Sequence, residues 1–224
     1  MAGFYEIAPQ KSLAIDYQST GMIEGSVRVY VTGDSAVVIS NQSFSGQPLS
    51  PKTSINQVEI HLPDGVYRYD LNTGTGKKFA NRRYLLKKGL AKLAKSDRDY
   101  FAQYSEKMRG HMVSRLIGAD NKPSTVNFLG YKALRYELST GARLTLWNGI
   151  VMEMELVSQN FRLLATKVNL NFSVPDSIFN IVGRNPAVAD TAASSSIRKQ
   201  VGQIIEAVRA RKLDSYLAPA RSKK

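Results

Sequence analysis

Arg143-Leu144-Thr145-Leu146-Trp147-Asn148-Gly149-Ile150-Val151-Met152-Glu153-Met154-Glu155-Leu156 spells out a β-hairpin. Asn-Gly between two runs rich in β-forming residues is the strongest short hairpin signal, because both central positions of a type I′ turn need a positive φ. In the second strand Met152 and Met154 share one face, and Glu153 and Glu155 share the other. Upstream, Leu134, Tyr136 and Leu138 alternate with Arg135 and Glu137 before Ser139-Thr140-Gly141 turns the chain. Downstream, Leu164, Thr166, Val168, Leu170, Phe172 and Val174 fall on one side of a long strand that stops at Pro175. The connections are too short for crossovers, so the sheet is expected to be antiparallel.

The first third of the chain repeats the pattern. Ser26-Val27-Arg28-Val29-Tyr30-Val31 alternates, ends at Gly33-Asp34 and returns through Ala36-Val37-Val38-Ile39. Val58-Glu59-Ile60-His61-Leu62 passes through Pro63-Asp64-Gly65 into Val66-Tyr67-Arg68-Tyr69-Asp70-Leu71, a second hairpin with suitable turn residues. Between the two strand regions, over about residues 81–118, the period changes from two toward 3.6. Leu86, Leu90 and Leu93 form one stripe, and Arg83, Lys87, Lys88, Lys92 and Lys95 take the other sides. Ser96 with Asp99 predicts the cap of a second helix, whose stripe is Phe101, Tyr104, Met108, Met112 and Leu116 and whose stop is Gly118. Past Val182, Pro186 and the run Ala192-Ala193-Ser194-Ser195-Ser196 predict a linker over 184–196. A basic helix and tail follow over 197–224, with Val201, Ile204, Ile205 and Val208 on one helical face.

Composition narrows the functions open to such a chain. With 224 residues, 43% of them hydrophobic, it can bury a core, and no run approaches the roughly 18 to 20 apolar residues of a membrane-spanning helix. The absence of cysteine excludes disulfides and thiolate chemistry. The net charge of +13 is unevenly spread: residues 77–115 carry +9, residues 197–224 carry +6, and the remainder is −2. Two helical segments thus hold the basicity, which favours an anionic partner: a membrane surface, a lipid headgroup, an acidic protein or a nucleic acid.

Catalytic motifs are not assembled. His61 and His111 are the only histidines, and neither stands at ligand spacing from carboxylates. Asn72-Thr73-Gly74-Thr75-Gly76-Lys77-Lys78 has the composition of a phosphate loop, but Leu71 occupies the first glycine position and Lys78 the Ser/Thr position, so it reads as a hairpin end. Glu153 and Glu155, alternate residues on a strand, read as its wet side rather than as paired acids. No enzyme activity, cofactor or metal site is expected. The Met/aromatic stripe reads either as ordinary core or, with Trp147, Met152 and Met154 across from Met108 and Met112, as the wall of an apolar cavity suited to a flexible ligand. The basic helix reads either as solvated surface or, through Lys87, Lys88, Lys92 and Lys95, as a membrane-contacting face.

Three segments carry a family resemblance. They are Asn127-Phe128-Leu129-Gly130-Tyr131-Lys132 leading to Trp147, the meander from Met152, and the closing Val174-Pro175-Asp176-Ser177-Ile178-Phe179. Together with the Gly65-Val66-Tyr67-Arg68-Tyr69-Asp70 hairpin, they resemble the LolA/LolB-like periplasmic lipoprotein-carrier superfamily over roughly residues 12–182. The chain departs from the carriers in opening with strands and in adding a basic C-terminal helix. The resemblance implies an α+β fold: a curved, mainly antiparallel half-barrel of about 8–11 strands, with the mid-chain helices covering its concave face. It would occupy residues 1–183, followed by the linker and the C-terminal helix. It further implies a periplasmic address, with an export signal upstream, and a carrier or sensor binding lipid or lipoprotein acyl chains. The lipid-contacting residues would be Phe101, Tyr104, Met108, Met112, Leu116, Trp147, Met152 and Met154. An envelope protein-interaction module with a solid core is the alternative. A nucleic-acid binder is weaker, since the aromatics are not interleaved with the basic runs.

Overall fold

The computed structural model describes residues 12–32, 35–44, 53–104, 123–137, 141–172 and 174–213. Among them, six strands come first: β1 (Leu13–Gly21), β2 (Ile23–Thr32), β3 (Ser35–Phe44), β4 (Thr53–Leu62), β5 (Gly65–Asp70) and β6 (Gly76–Phe79). Helix α1 (Arg82–Ala91) follows, and then α2, described over 95–104. Five more strands come next: β7 (Ser124–Phe128), β8 (Tyr131–Glu137), β9 (Arg143–Trp147), β10 (Ile150–Leu156) and β11 (Phe161–Leu170). The chain then forms α3 (Asp176–Arg184), β12 (Ala187–Ala189) and α4 (Thr191–Arg209). No described helix is long and apolar enough to cross a membrane.

The twelve strands make one open sheet in the order β12-β6-β5-β4-β3-β2-β1-β11-β10-β9-β8-β7, antiparallel everywhere except β12 on β6. The fold is α+β, as expected. Two meanders build it. One runs outward from β1 to β6; the other starts at the far edge with β7 and returns inward to β11, which zips onto β1 from Leu13↔Leu170 to Gly21↔Phe161. Two predicted turns hold: Pro63-Asp64 joins β4 to β5, and Asn148 (φ 48°) with Gly149 (φ 79°) closes the β9–β10 hairpin in the left-handed region, while Gly33-Asp34 and Ser139-Thr140 lie outside the described residues. The phosphate-loop-like stretch is the β5–β6 turn, tied by the Asp70 carboxylate accepting from the backbone N–H groups of Asn72 and Thr73 at 2.8 and 3.1 Å.

Both faces of the sheet are packed. Leu13, Ile15 and Tyr17 of β1 join Val27, Val29 and Val31 of β2, Val38, Met152, Leu163 and Ala165 in one buried cluster. Every described member of that cluster lies on a strand, which is how a sheet that curls on itself buries its own inner face. Ala14, Tyr30, Val37, Ile60, Tyr67 and Tyr69 form the cluster on the opposite face, where Ile178, Phe179, Ile181 and Val182 of α3 cover them. A third cluster is helical and is described with the site below.

The sheet has twelve strands where about 8–11 are expected, and the described parts of the mid-chain helices pack with α4 rather than over the strand cluster. Two local details also differ from the sequence reading. First, β11 carries a bulge. Register shifts between Asp16 and Tyr17, so that Ile15 faces Val168 while Tyr17 faces Ala165. The extra residue switches parity, putting Leu163 and Ala165 with Val168 instead of Leu164. Second, 184–196 is not a linker. Residues Ala187–Ala189 pair with Gly76–Lys78 as β12, and α4 begins at Thr191, with the Asp190 carboxylate accepting from Ala193 N–H at 2.9 Å. Three residues are too few to show alternation, and the Ala/Ser run is a competent first helical turn once Asp190 caps it.

Candidate functional site

Three groups of side chains are candidates: a half-buried aromatic and methionine rim on the strand cluster, a charge ladder across the second meander, and a basic helical unit.

The rim is built by the two hairpins nearest the β7 edge together with β11. Trp147 stands opposite Ile150 at the β9–β10 turn, and the Tyr131 ring lies 4.3 Å from its ring centroid to centroid. Phe128, Met154, Phe161 and Val168 complete the part-buried hydrophobic residues packed on the strand cluster. Met152 beneath them is fully buried. The register of β10 on β9 shifts between Val151 and Glu153, and at that bulge the Tyr17 hydroxyl donates to the Val151 carbonyl at 2.9 Å. Burial pushes the Tyr17 phenol far above its ordinary range, so it stays a donor.

The ladder lies on the other side of β11 from Leu163 and Ala165. One cross-strand row runs Arg135, Thr145, Glu153, Leu164; the next runs Glu137, Arg143, Glu155, Arg162, alternating in sign. Glu153, read from sequence as a wet-side residue, is only 2% exposed. Its Oε1 accepts from Arg162 Nη2 at 2.8 Å, and its Oε2 accepts from Arg135 Nη2 and Thr145 Oγ1, both at 3.2 Å. Arg143 Nη1 lies 3.8 Å from Oε1 and 3.3 Å from Glu155 Oε2. With both oxygens occupied by protein donors, Glu153 is a fixed counter-charge tying β8, β9 and β11 to β10, rather than an available base or nucleophile. What would have found it is the recurrence of arginine at matching positions of successive strands.

The helical unit joins the two basic stretches of the sequence. Helix α1 packs on α4. Leu93, Tyr104, Val201, Ile204, Ile205, Val208 and Leu213 are buried together, with Leu85, Leu86, Leu90, Tyr100 and Phe101 packed around them. Gly89 permits the close approach, since a Cβ there would sit 2.9 Å from Ile205 Cδ1 and Cγ1. The unit is tied to β6 and its end by Asp190 N–H donating to Lys78 O at 2.8 Å and Ala80 N–H donating to Ser194 Oγ at 3.1 Å.

The structure therefore divides the expected lipid-contacting residues. Phe101 and Tyr104 belong to the helical cluster, whereas Trp147, Met152 and Met154 belong to the strand cluster. Met108, Met112 and Leu116, like His111, lie outside the described residues. Lys87, Lys88, Lys92 and Lys95 are all exposed. Among the described residues no group of three or more His, Asp or Glu is placed to hold a metal ion.

No protein-family model and no curated protein matches the chain. Among solved structures, "Structure of PNGF-II in C2 space group" aligns with 85% of this chain at 13% identity and a TM-score of 0.37. The chain spans about a third of that protein's length, with 33% of it covered.

Proposed function

We propose that this chain is a non-enzymatic carrier or sensor for lipid or acyl groups in the cell envelope, of the LolA/LolB-like kind and periplasmic in address, serving anionic membranes. One observation carries the reading: the rim of Phe128, Tyr131, Trp147, Met154, Phe161 and Val168 is hydrophobic, lies against the strand cluster and stays only part-buried. A curved antiparallel sheet with such a rim suits a flexible apolar chain, because methionine and aromatic side chains repack around one at little cost. The acyl chain lies along this rim, over Met152 as floor.

Trp147 is the sole tryptophan, so its fluorescence reports the site directly. Titration with a long-chain fatty acid is expected to give a saturable blue shift, and organic extracts of natively purified protein are expected to contain lipid by mass spectrometry. Met154→Arg, which puts a charge in the rim, is expected to abolish both. Protein that never carries lipid and shows unchanged Trp147 emission across the titration refutes the reading.

A further inference from the structure

The sequence places its two basic segments about a hundred residues apart, and the structure packs them together. In 82–104, seven Lys and Arg face two acidic residues; in 190–213, five face two, so the helical unit carries a net +8. Of the first group, Arg82, Lys87, Lys88, Lys92, Lys95 and Arg98 are exposed. Of the second, Arg198, Lys199, Arg209, Arg211 and Lys212 are exposed. The acids offset part of this: Glu206 pairs with Arg209 at 3.1 Å and Asp97 lies 4.0 Å from Arg211, while Asp190 is engaged as the α4 cap.

The apolar side of α1 is equally informative. A lone helix with leucines on one side and lysines on the other would lie in a membrane interface with the leucines inserted. Here Leu86, Leu90 and Leu93 are engaged with the α4 residues Val201, Ile204, Ile205 and Val208. The leucine stripe is occupied, and what remains outward is charge.

We infer that α1 and α4 together form one docking surface for anionic bilayers, which binds by charge alone and does not insert. This gives the C-terminal helix its role and deepens the carrier reading, on which it rests for the choice of membrane as partner. A bilayer fits this surface better than a nucleic acid. Lipid anions are laterally mobile and need no geometric match. Three of the unit's four aromatic rings are engaged within it, leaving no row of rings as a stacking platform: Tyr104 is buried, Phe101 packs on the helical cluster, and Tyr100 packs against the Tyr104 ring and under the Arg211 guanidinium. Attraction of this kind decays over about 8 Å at physiological salt, so the cations must act as a cluster and both helices must contribute.

The test is co-sedimentation of full-length protein with phosphatidylcholine vesicles, with and without about a third phosphatidylserine, at low and high salt. The wild type is compared with K87Q/K88Q/K92Q/K95Q, which spans α1 and the start of α2, with R198Q/K199Q/R209Q on α4, and with the sevenfold combination. Urea midpoints confirm that each remains folded. Expected are binding to the anionic vesicles only, loss of binding in high salt, at least about tenfold weakening in each of the two sets, and no detectable binding by the combination. Binding that survives high salt would mean inserted leucines and overturns the inference. So does an α4 set that binds like wild type, or wild type that prefers random duplex DNA over the vesicles. Lipid co-purification plays no part in this assay, so the carrier reading stands or falls separately.

Discussion

Replacing Glu153 by glutamine probes the strongest polar feature of the fold. The carboxylate is 2% exposed and takes hydrogen bonds from Arg162, Arg135 and Thr145, with Arg143 at 3.8 Å. Removing one partner of a buried ion pair costs about 3–5 kcal/mol when the other charge stays dry. These arginines do not stay dry: their side chains are 27% (Arg135), 35% (Arg143) and 44% (Arg162) exposed, so water takes over part of their solvation. Glutamine also keeps one acceptor oxygen. The low end of the range follows, about 3 kcal/mol, which for a domain of this size lowers Tm by roughly 6–12 °C. Urea denaturation followed by circular dichroism, with the thermal transition beside it, measures the loss. Arg162→Gln and Arg135→Gln, which remove one exposed partner each, are expected to cost less than Glu153→Gln. If Glu153→Gln changes stability by under about 0.5 kcal/mol, the ladder is ordinary surface charge and does not tie β8 through β11 together.

Three further outcomes are expected. Gly76→Ala places a Cβ 2.5 Å from the Tyr69 ring and 3.3 Å from Ala187 Cα. Because Tyr69 is buried and donates to Asn185 O at 3.0 Å, the clash should cost about 1–3 kcal/mol, read as a lower urea midpoint; an unchanged midpoint would mean that β12 yields freely. Leu129 holds φ 51° at the β7–β8 turn while 47% exposed, so Leu129→Asn should stabilise by about 1 kcal/mol, and destabilisation in the same assay would show that the leucine side chain matters. Burial alone would raise the Glu59 carboxyl, but His61 Nε2 at 2.7 Å and the Arg68 guanidinium at 2.6 Å outweigh it and hold its pKa below the usual 4.5. A depressed folded pKa gives stability that is complete above the unfolded value and lost as pH falls through the folded one. The stability gap between wild type and Glu59→Gln should therefore be widest near neutrality and close on acidification below about pH 4; a gap that widens in acid contradicts the assignment.

What could be read in the sequence was local. Asn148-Gly149 and Pro63-Asp64-Gly65 announce their hairpins because a few backbone angles must be adopted there and few residues adopt them easily. The alternating runs beside those turns then fix the antiparallel meanders. The pairing of β1 with β11 is different in kind. It joins Leu13 to Leu170, and nothing nearby in the chain specifies it beyond a matching apolar face. Bulges defeat alternation altogether: one extra residue in β11 moves Leu164 off the face that Val168 occupies, so period-two counting past that point assigns the wrong side. The Ala/Ser run before Ile197 misleads for a related reason. It has linker composition, but the cap at Asp190 and the apolar stripe farther along the helix decide its state.

Charge was the quantity most poorly served by reading one strand at a time. Glu153 beside Met152 and Met154 has the pattern of a solvent face, and only the arginines of β8, β9 and β11 turn it into a buried counter-ion. The basic helices make the converse case. The Lys and Arg of α1 lie off its leucine stripe, but a helix read alone leaves that stripe free to enter a membrane. Once Gly89 lets α4 approach, the same leucines become interior and the same lysines become half of a larger basic surface. A change at Gly89 should therefore act on both properties together. Gly89→Leu, by driving α1 away from Ile205, should loosen the helical unit and re-expose its leucines, so that binding to anionic vesicles becomes resistant to salt while the thermal transition falls. If the variant remains as salt-sensitive as the wild type despite a lowered transition, burial of the stripe against α4 is not what keeps the leucines out of the bilayer.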